Sequence, residues 1–272
     1  MLTKRKIIYS IEFLILIGII FLWIFKTPQG FYGKLNVIGY AFCHQLPDRS
    51  PFVYGHIFAF CYRCTGLFIG FFIGSLFQIY NRQNSLFTSP VHIAYCILSF
   101  LFFLLDSLNA YKPLHLIISF HLYSDTTFKR TLSGFFVGSA ISLIIFPILF
   151  CFFQKPIFQT SSSFPDKLRF PLLITIGVFF SLYITKEIKS DVISLFVDIT
   201  SCVSAIFLVT TLYAIILKII LESHSCCNNY NFTKDIFLSA FIITLLQLTI
   251  ICMIRYHYTQ NWNCILPLVI EV

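Results

Sequence analysis

The sequence predicts an all-α polytopic membrane protein, and composition and hydropathy are the reasons. Of its 272 residues, 58% are hydrophobic and 11% are charged, whereas about a quarter of the residues in soluble proteins are charged. The mean hydropathy is +0.86. Apolar runs close to the ~20 residues that a helix needs to cross a bilayer predict about seven spans. We place them at 8–25, 57–80, 90–108, 132–153, 169–185, 194–218 and 235–254.

These helices are expected to form one integral membrane domain over residues 1–272, since no soluble domain interrupts them. The fifth run is short and Pro171 opens it. Residues 31–56 are too polar to span. We expect Phe31–Phe42 to lie in the interface or to form a short re-entrant piece, followed by an extended turn at Pro47 and Pro51.

The net charge of +8 comes from 19 Lys and Arg residues scattered over short loops. Nucleic-acid binding needs such charge gathered on one surface, so we expect no nucleic acid and take anionic membrane lipids as the partner. The sequence does not indicate any protein partner. The cluster Lys4-Arg5-Lys6 predicts a cytoplasmic amino terminus. Loops 27–56, 109–131 and 186–193 and the carboxyl terminus then face outward.

Two polar motifs stand next to the second apolar run. The first is Cys43-His44-Gln45-x-Pro47-x-Arg49-Ser50 and the second is Cys61-x-Arg63-Cys64-Thr65-Gly66. Thiols, an imidazole and guanidinium groups are expensive at a membrane boundary and tend to be functional there. We therefore expect the function of the protein to depend on these residues.

A thiophilic metal is the first chemistry that the motifs suggest. Cys61 and Cys64 are three residues apart at a helix start, so both sulfurs can turn to one point. Cys43 and His44 would complete a Cys3His set of the kind that zinc accepts, and copper is an alternative for soft ligands. Adjacent residues such as Cys43 and His44 rarely both bind one ion, so the alternatives are three protein ligands with an open position, or His56 as the substitute ligand. The polar and charged residues expected around the ligands are Gln45, Arg49, Arg63, Asp106 and Arg130.

Three other interpretations remain open, and the motifs do not decide whether the protein is an enzyme. A CxxC pair beside an arginine suits quinone-linked thiol–disulfide exchange, for which Cys264 would have to supply the fourth thiol. A disulfide from Cys43 to Cys61 or Cys64 would be a structural staple. Lipid headgroups or phosphate would suit Arg49, Arg63 and Arg130 as ligands.

Glycine spacing predicts which helices pack closely. The second helix carries Gly66, Gly70 and Gly74, and the fourth carries Gly134 and Gly138. Four-residue spacing of small residues lets membrane helices approach each other, so we expect a parallel pair. Acids within membranes usually pair with cations, and for Asp106 the expected partner is Arg130. Asp198 has Arg63 and Arg130 as candidates.

Four segments together resemble a known family. They are CHQLPDRS, CYRCTGLFIG, LLDSLN and FKRTLSGFFVG, in that order, within residues 40–140. They resemble the predicted multipass membrane proteins of prokaryotes grouped as domain of unknown function 2085. The resemblance implies a prokaryotic plasma membrane and makes residues 40–140 a family-like core, with 169–254 as additional helices. Ser107 stands where the family has glycine. The family has no activity to carry over.

Overall fold

The protein is a bundle of α-helices with one small connecting hairpin. The computed structural model describes residues 2–53, 56–81, 90–109, 126–153, 166–185, 191–222 and 230–262. Within them we number eight helices: α1 Leu2–Lys26, α2 Phe31–Phe42, α3 Tyr62–Asn81, α4 Pro90–Asn109, α5 Thr127–Phe153, α6 Asp166–Thr185, α7 Asp191–Glu222 and α8 Tyr230–Thr259. A 3-10 turn (Pro47–Arg49) and antiparallel strands β1 (Phe52–Val53) and β2 (His56–Ile57) join α2 to α3.

The predicted all-α membrane bundle is confirmed. Among the described residues, six helices are long and apolar enough to cross a bilayer: α1, α3, α4, α5, α7 and α8. The fifth predicted span, 169–185, coincides with α6, but the apolar stretch of that helix is limited to Leu172–Ile184. Charged residues occupy the start of α6, since its sequence opens with Asp166, Lys167 and Arg169, and this shortens the apolar stretch.

The connection between α1 and α3 contains a helix that does not span. Residues 31–42 form α2, whose 12 residues extend about 18 Å and cannot cross a ~30 Å hydrocarbon core. One side of α2 is buried against the bundle. The prediction of a helix from residue 57 is corrected, because β2 and a bend occupy residues 56–60 and α3 begins only at Tyr62.

Helices α3 and α5 form the predicted close, parallel pair. A Cβ added to any of four glycines would collide with a backbone carbonyl of the opposite helix: Gly66 with Thr131, Gly70 with Phe135, Gly134 with Arg63 and Gly138 with Leu67. Residue numbers rise together along both helices, so their amino termini lie at the same end. We call this end of the bundle, where α3 begins, the motif face.

The remaining helices alternate in direction around this pair. Asp106, near the end of α4, pairs with Arg63 at the start of α3, and Ile184, near the end of α6, packs with Val197 in α7. At the opposite end of the bundle, Glu12 of α1 accepts a 2.5 Å hydrogen bond from Ser239 of α8. The amino-terminal part of α1 therefore lies opposite the motif face, and α8 ends at the motif face.

Candidate functional site

Three cysteine side chains meet at the motif face. The Sγ atoms of Cys43, Cys61 and Cys64 all lie within 4.8 Å of one another. All three are free thiols; Cys43 is buried, and the other two are partly buried. The structure thus brings together residues of both sequence motifs, which are separated along the chain by the 3-10 turn and the hairpin. We call these residues the thiol site.

Cys61 and Cys64 converge because α3 begins between them. The carbonyl of Cys61 accepts the N–H of Thr65 at 2.9 Å, which is the first bond of the helical pattern, so Cys61 occupies the N-cap position. Cys64 lies three residues further on, one turn into the helix and on the same side. A helix start therefore places two sulfurs at the end where unpaired N–H groups and the positive end of the helix dipole favour negative charge.

Cys43 reaches the thiol site from the end of α2. Its N–H donates to the carbonyl of Gly39 at 2.8 Å, and its own backbone is extended, with φ −131° and ψ 151°. Successive side chains of extended backbone point to opposite sides. Cys43 and Gln45 are accordingly buried, and His44 between them is exposed.

His44 was expected to complete a Cys3His set, but the structure does not bring its imidazole into the group that the three thiols form. His56, the substitute ligand, is exposed as well, and its ring stacks on Tyr32 with centroids 4.3 Å apart. Cys264 lies outside the described residues. The described ligand set consists of three sulfurs.

Backbone N–H groups point at the buried sulfur of Cys43. Its Sγ accepts the N–H of Gln45 at 3.5 Å and the N–H of Cys61 at 3.4 Å, within the longer range that sulfur acceptors adopt. Hydrogen bonds to the charged form of a group favour that form. The two amides thus favour the thiolate form of a sulfur that is only 5% exposed, but burial and the hydrogen bond to Cys61 outweigh them and raise the pKa of Cys43.

Hydrogen bonds within the thiol site shift the pKa values of its thiols. Hydrogen bonds from the thiols of Cys43 and Cys64 lower the pKa of Cys61 well below its usual range, with further help from the backbone N–H groups of Cys64 and Arg63. Because it donates to Cys61 and is buried, the pKa of the Cys43 thiol rises to about 11. Of Cys43 and Cys61, Cys61 is therefore the thiol that loses its proton more readily.

The side chain of Arg63 leaves the thiol site and binds α4. Its Nε donates to Oδ2 of Asp106 at 2.8 Å, and its Nη2 forms an ion pair with the same oxygen and donates to the Asp106 carbonyl at 3.1 Å. Ser133 of α5 donates to Oδ2 at 3.1 Å. Arg63 thus pairs with the acid for which Arg130 was the expected partner. Arg130 and Arg49 are partly buried.

Gln45 connects the first motif to the segment that leads into the second motif. Its Nε2 donates to the carbonyls of Asn36 and Ala59 at 2.8 and 2.9 Å. The backbone of Gln45 has a φ of 49°, in the left-handed region that non-glycine residues seldom adopt. This conformation turns the buried amide toward Ala59, two residues before Cys61.

Two residues of later helices contact backbone at the thiol site or next to it. Asp198 of α7 accepts the N–H of Ala59 at 3.0 Å, so its described hydrogen bond is with a backbone amide and not with an arginine. Arg255 of α8 donates to the carbonyl of Cys43 at 2.8 Å. Sequence reasoning had no signal for Arg255, since a cation near the end of a membrane helix ordinarily extends to the interface.

Comparisons with known proteins support the resemblance carried by the motifs. Residues 43–144 match the family of predicted membrane proteins named DUF2085. The match begins at Cys43 and includes Cys61, Cys64 and Asp106. A curated relative, an uncharacterized protein of Methanocaldococcus jannaschii, is 28% identical over 157 residues, which cover 55% of this chain and 95% of the relative. No solved structure matches.

The DUF2085 segment, residues 43–144, contains the three thiols and the Arg63–Asp106 pair but ends before α6. Asp198 and Arg255 lie beyond it. The contacts of these two residues with Ala59 and Cys43 therefore join helices outside the family match to the thiol site inside it. Neither the family description nor that of the relative names an activity.

Proposed function

We propose that Cys43, Cys61 and Cys64 together bind one thiophilic metal ion, zinc or copper, at the extracytoplasmic face of the membrane. The observation that carries the proposal is the convergence of three free thiols within 4.8 Å. Bringing three sulfurs together has no value for packing alone, because thiols behave as small hydrophobic groups that need no mutual contact.

The donor set suits soft metal ions. Thiolate ligands select Cu⁺, Zn²⁺ and iron–sulfur clusters over the hard cations Mg²⁺ and Ca²⁺. The lowered pKa of Cys61 favours one thiolate. The N–H groups that point at Cys43 would support a second once a metal displaces the Cys43 proton, since metal binding releases protons from its ligands. Three protein ligands also leave a coordination position free, which is the arrangement of catalytic zinc sites. The function we propose is metal-dependent sensing, handling or catalysis on a membrane substrate.

Metal analysis of the purified full-length protein tests this proposal. We expect about one zinc or copper ion per chain in the wild type and its loss in Cys61→Ser and Cys64→Ser. Cys151→Ser is the matched control, since that cysteine is exposed on α5 and lies outside the three-thiol group. His44→Ala should keep the metal, because the imidazole is exposed.

Thiol–disulfide chemistry is the alternative, favoured by the lowered pKa of Cys61 beside two further thiols. Two thiols would then form a disulfide by giving two electrons and two protons to a quinone. Thiol counting under denaturation, with and without a reductant, distinguishes the two functions. If the wild type carries no metal, and Cys61→Ser and Cys64→Ser both abolish a reducible disulfide, the redox function replaces the metal function.

A further inference from the structure

The thiol site depends on two stretches of backbone that no regular element holds. Residues 43–45 follow the end of α2, and residues 59–61 form a bend before α3. Metal ligands must be held close to a productive geometry by groups outside the ligand set. We call these stretches the ligand segments.

Asp198 holds the second ligand segment from α7. Its carboxylate is 2% exposed and accepts the N–H of Ala59 at 3.0 Å. The carbonyl of the same residue accepts the amide of Gln45 at 2.9 Å. Both backbone groups of Ala59 are therefore bound by side chains, one from a helix beyond the DUF2085 segment and one from the first ligand segment.

Arg255 holds the first ligand segment from α8. Its Nη1 donates to the carbonyls of Cys43, at 2.8 Å, and Tyr40. These carbonyls belong to the end of α2, where helix carbonyls lack partners within the helix. The guanidinium also lies over the ring of Tyr40, 3.9 Å from its centroid. A planar guanidinium can donate both bonds from one nitrogen and still stack on the ring.

The packing around these contacts leaves little freedom. Ala59 and Phe60 are fully buried and pack in one cluster with Cys43 and with Cys202 of α7. A Cβ on Gly39 of α2 would collide with the carbonyl of Ala59. The ligand segments are thus pressed between α2, α3 and α7, and Asp198 and Arg255 supply the directional bonds in that contact.

We propose that Asp198 and Arg255 are positioning residues of the thiol site, so that α7 and α8 complete a metal site whose ligands all lie in the DUF2085 segment. Asp198 fixes the segment that leads to Cys61, and Arg255 fixes the backbone of Cys43. This inference rests on the proposed metal function for its affinity test, but its thiol-reactivity test needs no metal.

The variants separate the hydrogen bond from other effects. Asp198→Ala removes the acceptor for Ala59, whereas Asp198→Asn keeps a carbonyl oxygen in its place. Arg255→Lys keeps the charge but is shorter and lacks the planar group that donates to both carbonyls while it stacks on the Tyr40 ring. Ser204→Ala is the matched control on α7, since it deletes a buried hydrogen bond to the carbonyl of Phe68 away from the ligand segments.

Two measurements on the full-length protein in detergent test the proposal. In the first, the metal that the wild type carries, Zn²⁺ or Cu⁺, is titrated in competition with a chromogenic chelator. We expect Asp198→Ala and Arg255→Lys to weaken binding by roughly 10- to 100-fold, the usual effect of losing a group that orients ligands. Asp198→Asn and Ser204→Ala should bind as the wild type does.

The second measurement is the rate at which a soluble maleimide alkylates Cys43 in metal-free protein, resolved by mass spectrometry. In Asp198→Ala and Arg255→Lys, a ligand segment loses its hydrogen bond to a charged side chain, so the buried Cys43 thiol should become accessible more often. We expect the alkylation rate to rise by about tenfold. If Asp198→Ala does not fold, Arg255→Lys alone provides the test. Unchanged affinity and unchanged alkylation in both variants would overturn the proposal. If the wild type binds no metal, the metal function fails, and the alkylation rates alone decide whether positioning stands.

Discussion

The Arg63–Asp106 ion pair joins three helices at the motif face. Arg63 belongs to α3, Asp106 to α4 and the hydroxyl donor Ser133 to α5. Asp106 is 1% exposed, and the Arg63 side chain is 20% exposed. Taking such charges out of water is unfavourable, and a buried pair is stable only when hydrogen bonds satisfy it. Here the guanidinium also contacts the Asp106 carbonyl and lies over the ring of Phe103.

We expect Asp106→Ala to destabilise the protein by about 3–5 kcal/mol, because it leaves the Arg63 cation without its carboxylate. Unfolding of the detergent-solubilised protein, followed by temperature or denaturant, measures this. Asp48→Ala is the control, since Asp48 is exposed, and should change stability by no more than about 0.5 kcal/mol. Similar effects of the two substitutions would contradict the structural role of the pair.

Sequence reasoning at the residue level predicted that the three thiols converge, but it did not predict that His44 is exposed. The spacing of Cys61 and Cys64 at a helix start implies convergence by geometry alone. Whether Cys43 or His44 faces inward depends on the backbone angles at one position, and adjacent residues in a sequence carry no sign of that choice. The partner of Asp106 likewise depends on how far a guanidinium reaches between helices, which spacing does not encode.

Close packing of α3 on α5 makes the motif face rigid. Glycines on both helices allow backbone-to-backbone contact, which is how membrane helices associate without a hydrophobic driving force between them. The contact extends from Gly66, two residues after Cys64, to Gly74 against Ser142. It therefore aligns the start of α3, and with it two of the three sulfurs, on the bundle.

Leucine at Gly70 or Gly138 should destabilise the bundle by at least about 3 kcal/mol, the upper end of overpacking penalties, because the new side chain meets the backbone of the opposite helix. Gly18→Leu is a matched control on α1, where a Cβ meets nothing within 4 Å. Thermal unfolding and the yield of monodisperse protein measure the difference. Equal tolerance of leucine at all three positions would refute the close pair.

Hydropathy located the spanning helices well but not their ends. The expected span 57–80 overran the true start of α3 because residues 57–60 are apolar without being helical, and residues 58–60 are buried. Their burial comes from tertiary contacts with α2 and α7, which a local pattern does not reveal. The non-spanning character of α2 followed directly from its length and polarity.

The whole molecule combines a family-matched segment with helices that lie beyond the match. Residues 43–144 provide the thiols, while α7 and α8 contact the same face through Asp198 and Arg255. The membrane character predicted from composition is confirmed at this scale. Contacts between distant parts of the chain could not be predicted, because nothing in the sequence indicates that residues 43 and 255 meet.

The alternation of helix directions leads to a prediction about orientation. The motif face and the end of α8 lie on one side of the bundle, and the start of α1, which follows Lys4-Arg5-Lys6, lies on the other. Since positive residues near a first helix favour the cytoplasm, we expect the thiol site to face outward. A membrane-impermeant maleimide applied to intact cells should label Asp48→Cys, an exposed position beside the site, but label Lys4→Cys only after permeabilisation. The reverse pattern would place the thiols in the reducing cytosol, where a metal-bound or reduced state is favoured over a disulfide.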